Sequence, residues 1–70
     1  MQAYTLAEVI SLGLDARHLA EDGAIYCCTC GSVVRTDPRS GVSVLITNRN
    51  HLPEGPWYRL DEASGPDSRR

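Results

Sequence analysis

Cys27, Cys28 and Cys30 bring three thiols into one short stretch of a 70-residue chain. Cys27 and Cys30 form a Cys-x-x-Cys pair followed by Gly31. That spacing lets one tight turn aim two sulfurs at a single point, and Gly31 supplies the positive φ that such a turn needs. The chemistry expected of it is zinc binding. A closed structural zinc site takes four nitrogen or sulfur ligands in a tetrahedron, and the two histidines, His18 and His51, are the nitrogen donors available. Pairing Thr36 with Val42 across the turn at 37–41 would bring Asn48 opposite Cys30 and His51 opposite Cys27. His18 would approach from the other side. The expected ligands are therefore Cys27, Cys30, His51 and His18, with Cys28 as a substitute. Two other readings stay open: redox-active thiols, and ordinary buried cysteines. The redox reading is the weaker, because a thioredoxin-like pair opens a helix whereas both flanks here are strand-like.

No catalytic set accompanies the thiols. Ser11, Ser32, Ser40 and Ser43 lack a His–acid partnership, and there is no Gly-rich phosphate loop. An enzyme is not expected. Trp57, Tyr58 and Arg59 are the residue types that dominate interface hot spots, and they read as an exposed contact patch for a protein partner. The alternative for Trp57 is that it closes a thin core. Arg35, Arg39 and Arg49 give residues 31–52 a local basic character, which raises nucleic-acid binding as a second function class. The net charge of −2 argues against general nucleic-acid binding.

The elements that must position these residues follow from local signals. Thr5 and Glu8 have the spacing of a capping box, and Leu6, Val9 and Ile10 form one apolar face of a short helix that Gly13 would end. Asp15 reads as the start of a second short helix over 16–21, closed by Gly23. Strands are expected over 25–28, 32–36 and 42–47, with a short one over 57–60. Residues 37–41, Asp-Pro-Arg-Ser-Gly, form a strong turn. The fold class predicted is α+β, with two short N-terminal helices packed on a small three-stranded antiparallel sheet that carries the cysteine hairpin. One domain is expected over 1–60, and the composition of 61–70 predicts a disordered tail.

Two resemblances attach to these segments. Residues 27–31 resemble the knuckles of zinc-ribbon and rubredoxin-like sites, where Cys-x-x-Cys-Gly sits at a hairpin tip; this implies a structural zinc held by Cys27 and Cys30. A second Cys-x-x-Cys is missing, so a complete zinc ribbon is not implied. The N-terminal Tyr4-Thr5-Leu6-Ala7-Glu8-Val9 stretch, continued to Leu19, resembles the opening helix–turn–helix of MerR-like and excisionase-like DNA-binding domains. Its expected recognition helix offers only Arg17 and His18 before two acids, Glu21 and Asp22, so packing against the sheet is the favoured role.

Size favours reinforcement of the core. A chain this short buries a core worth about 3–5 kcal/mol, and this one has no Phe. No stretch approaches the roughly 20 apolar residues that span a bilayer, so a cytoplasmic location is the default, where clustered cysteines more often serve metal or redox chemistry than disulfides. The function expected is a small zinc-stabilised binding module, a regulator or adaptor of a larger cytoplasmic protein, acting as a monomer or small homo-oligomer. The alternatives are a nucleic-acid-binding transcription-regulatory module and a thiol redox switch.

Overall fold

A computed structural model describes residues 2–60. The order of elements is α1 (Leu6–Leu12), β1 (Ala16–Leu19), β2 (Ile25–Thr29), β3 (Ser32–Thr36), β4 (Ser43–Ile46), a 3-10 turn (Arg49–His51) and β5 (Tyr58–Arg59). The five strands make one antiparallel sheet in the order β4-β3-β2-β1-β5. This corrects the expected two helices on three strands. The tail expected at 61–70 lies outside the described residues.

The first helix forms where its caps place it. Thr5 and Glu8 complete the capping box through Glu8 N–H to Thr5 Oγ1 (3.2 Å) and Thr5 N–H to Glu8 Oε1 (2.8 Å). Gly13 closes the helix in the left-handed conformation at φ 67. The expected second helix is strand β1. Its residues alternate buried and exposed, Ala16 and His18 inward, Arg17 and Leu19 outward, as a strand between two neighbours requires. Asp15 does not cap a helix; its carboxylate accepts the Cys30 N–H at 3.3 Å.

Paired residues of an antiparallel sheet share a face, so the register divides the side chains in two. Ala16, Cys28 and Val33 lie in one cross-strand row and pack with Leu6 and Val9 of α1 and with Trp57 into a single buried cluster. The next row places His18 beside Tyr26 and Arg35. The chain returns to this face through 52–57, where Tyr4 and Trp57 exchange two backbone hydrogen bonds of 2.8 Å and Leu6 N–H donates to Glu54 O at 2.7 Å. Gly55 is needed here: a Cβ on it would meet the Tyr4 carbonyl at 2.9 Å.

The β3–β4 connection corrects a second expectation. Thr36 pairs with Ser43, not Val42, and Asp37 N–H donates to Val42 O at 2.9 Å. The Asp37 carboxylate accepts from Arg39 N–H (3.0 Å), Ser40 N–H (2.8 Å) and the Ser40 hydroxyl (3.1 Å). It thereby winds residues 38–41 into a loop one residue shorter than expected. A shift of one residue turns every β4 side chain to the opposite face.

Two acids of these turns set the acid response. Asp22 is held below the usual carboxylate range by the Ala24 N–H, with Arg35 adding to it. Asp37 is held down by the Ser40 and Arg39 N–H groups. A depressed folded pKa stabilises fully above the unfolded value, and the contribution is lost as pH falls through the folded one. Thermal midpoints should therefore be flat above about pH 5 and fall below about pH 4. Asp37→Asn should flatten part of that decline.

Candidate functional site

The cysteine stretch folds back on itself. Thr29 pairs with Ser32 across a two-residue loop made of Cys30 and Gly31, both at positive φ, 52 and 82. This is the geometry of a type I′ hairpin. Cys30 is exposed at the tip, Cys27 is half-buried and Cys28 is buried, and all three are free thiols. Alternation along β2 separates the last two: Cys28 enters the core with Ala16 and Val33, and Cys27 faces the other way with Arg17 and Val34. Burial pushes the Cys28 thiol up, and the nearby Asp15 carboxylate pushes it further.

The fold places the two histidines on separate structures. His18 lies on β1, 8% exposed, with Nδ1 at 2.8 Å from Pro56 O. Its ring packs at 5.9 Å from that of Tyr26 and 5.6 Å from that of Trp57. His51 closes the 3-10 turn after β4 and is exposed. The expected approach of His51 to Cys27 is corrected by topology. Because the chain reverses at Cys30 and Gly31, β3 pairs with β2 on one edge and β4 on the other. One strand therefore stands between β2 and the segment that leads to His51. Among the described residues no three His, Cys, Asp or Glu side chains gather where they could hold a metal ion. Cys27, Cys30, His18 and His51 are therefore not gathered at one point among the described residues.

A strained residue at the hairpin tip has a measurable consequence. Left-handed backbone is unfavourable for any residue with a Cβ, and Asn-Gly is the preferred pair for this turn. Cys30→Asn should raise stability by roughly 1 kcal/mol in denaturant titration, a part of the about 1–2 kcal/mol that left-handed backbone costs most residues with a Cβ. A loss of stability would mean that the Cys30 thiol makes a stabilising interaction of its own.

The expected contact patch is split by alternation in the same way. Trp57 is wholly buried, which corrects its expected exposure: it closes the core, donating Nε1–H to Pro53 O at 3.1 Å. Tyr58 turns to the opposite face as the direct partner of Arg17, and Arg59 pairs with Ala16. The basic residues are also dispersed. Arg35 is ion-paired to Asp22 at 3.1 Å and to Asp37 at 3.9 Å, with its guanidinium 6.0 Å from the Tyr26 ring centre. Arg39 lies in the β3–β4 loop and Arg49 in the 3-10 turn.

Two surfaces emerge that the linear pattern only partly marked. The first is the outer edge of β4. The bond from Asp37 N–H to Val42 O makes that pair hydrogen-bonded, so by alternation Val44 and Ile46 point their backbone groups to β3. Ser43 and Leu45 then turn theirs to the free edge. Val42, Val44 and Leu45 are 58%, 54% and 57% exposed. The second is the sheet face away from α1, with Arg17, Leu19, Ile25, Cys27, Val34 and Leu45 on it. No helix among the described residues is long and apolar enough to cross a membrane. Comparison with protein-family models, with curated proteins and with solved structures finds no match for this chain.

Proposed function

We propose that this chain is a small protein-binding module that accepts an extended segment of a partner along the outer edge of β4. The observation that carries this reading is the state of that edge. Strand edges are normally protected by charge, Pro, a bulge or very short length. Residues 43–46, Ser-Val-Leu-Ile, carry no charge and no Pro, and their register to β3 is unbroken. The opposite edge, β5, has two residues. A partner strand would take main-chain hydrogen bonds from Ser43 and Leu45, and its side chains would cover Val44 on one face and Leu45 on the other.

Arg39 and Arg49 stand at the two ends of β4, and among the described residues neither forms an ion pair. They favour a partner segment with acidic residues flanking an apolar centre, since complementary charge sets register and on-rate. Arg35 is occupied by Asp22 and Asp37, so the three cations do not act together on a phosphate backbone. Zinc enters this reading as a separate question, which native mass spectrometry with and without added zinc answers.

The test is capture of partners with wild-type and Leu45→Pro bait. The Leu45 N–H faces the free edge, so Pro there blocks strand addition without removing a bond to β3. Leu12→Ser, on the exposed side of α1, is the control. Proteins held by wild type and by Leu12→Ser, and lost with folded Leu45→Pro, support the reading. Equal retention by all three contradicts it.

A further inference from the structure

The face away from α1 holds a groove of ≈ 520 Å³ lined by Arg17, Leu19, Ile25, Pro56 and Tyr58, at the β5 side of the sheet and so remote from the β4 edge. We infer that this groove is a binding site for a small acyl carboxylate, with Arg17 and Tyr58 at the head group and Leu19, Ile25 and Pro56 along the chain.

The head-group end follows from strand pairing. Arg17 and Tyr58 are direct cross-strand partners, so a planar guanidinium and a phenol hydroxyl stand side by side on one face. That pair can fork a carboxylate and add a third donor to it. Asp15, just before β1, accepts the Cys30 N–H, and among the described residues no carboxylate pairs with Arg17. The apolar end is Leu19 beside Ile25, 68% and 40% exposed. Pro56 forms the wall, and its carbonyl is taken up by His18 Nδ1 on the other side.

An acyl chain suits this lining better than a peptide does. The groove lies on the side-chain face of β1, β2 and β5, where the backbone N–H and C=O groups lie in the plane of the sheet and point along it toward neighbouring strands, not out of this face. A peptide laid there would leave its own N–H and C=O groups without partners, a cost that a hydrocarbon chain does not carry. The volume falls within the roughly 300–1,000 Å³ of sites that hold small ligands. One cationic head and aliphatic walls therefore select an amphipathic ligand with a single anionic end.

The test is an amide NMR titration of the full chain with octanoate, and in parallel with octanol and octylammonium. Saturable shifts at Arg17, Leu19, Ile25 and Tyr58, with octanoate bound at least tenfold tighter than octanol, are expected. Arg17→Gln should reduce octanoate to the octanol level, and Leu19→Glu should weaken both, each with the dispersed spectrum of the folded chain. Leu45→Pro should leave octanoate binding unchanged, so failure here is separable from failure of the β4 reading. Equal affinity for octanoate and octanol, shifts outside the groove, or no saturable shift would overturn the site. A peptide ending in leucine that binds the groove more tightly than octanoate would overturn the acyl ligand in favour of a peptide one.

Discussion

Trp57→Ala is expected to unfold the chain. Trp57 is the largest wholly buried side chain and belongs to the cluster that joins α1 to the sheet. Its ring meets those of His18 and Tyr26 at 5.6 and 6.4 Å, and its backbone bridges to Tyr4 in both directions. Removing a buried Trp costs about 3–5 kcal/mol, which equals the roughly 3–5 kcal/mol that a core of this size supplies. Far-UV circular dichroism and urea titration should show no cooperative transition for Trp57→Ala. Trp57→Phe, which keeps a ring but loses the Nε1–H bond to Pro53, should unfold cooperatively at a lower midpoint. Tyr58→Ala, on the other face, should cost less than about 1 kcal/mol, in the range of surface changes. A wild-type midpoint for Trp57→Ala would contradict the placement of that side chain.

The second large effect is a reversal of rank between two cysteines. A zinc knuckle built on Cys27 and Cys30 makes Cys30→Ser the damaging change. The fold makes it Cys28→Ser: that thiol is 1% exposed among Leu6, Val9, Ala16, Val33 and Trp57, and a hydroxyl there costs about 1–3 kcal/mol. Cys30→Ser at the exposed tip should change stability by less than about 0.5 kcal/mol. Alkylation of the native chain should follow the same order, Cys30 first and Cys28 last, because only the thiolate reacts and burial suppresses it. Mass spectrometry of a time course reads this directly. Faster loss of Cys28 than of Cys30 would overturn the assignment of the inward and outward faces of β2.

What could be read from the linear pattern was what is settled locally. The first helix is specified within nine residues by Thr5, Glu8 and Gly13, and the structure has it. The strand segments flanking the cysteines and the one around Val44 are present, because β-branched runs between turns leave few alternatives. Over 16–21, Asp15 and Gly23 imitate helix signals, yet Ala16–Leu19 form a strand. Strand β1 is only four residues long, and its alternation gains meaning from partners on both sides, β2 and β5, which sequence spacing does not reveal.

The fold disperses the expected ligand residues for a related reason. Cys-x-x-Cys-Gly places a residue before Gly at a hairpin tip, and that pair is also a type I′ loop. The two uses share a spacing and differ in where the remaining ligands lie, which depends on strand order. The β3–β4 register turned on three hydrogen bonds to one carboxylate, Asp37. The burial of Trp57 turned on its bridge to Tyr4, far away in the chain. Surfaces such as the β4 edge and the Arg17 groove become visible once topology assigns faces.

Amide hydrogen exchange on the chain, free and bound to a partner captured as above, tests the β4 reading most directly. In the free chain the Ser43 and Leu45 amides, facing the open edge, should exchange faster than those of Val44 and Ile46, which bond to β3. On binding, Ser43 and Leu45 should gain protection while α1 stays unchanged. Protection that appears on α1 or at Arg39 and Arg49, with Ser43 and Leu45 exchanging as freely as before, would contradict strand addition at β4.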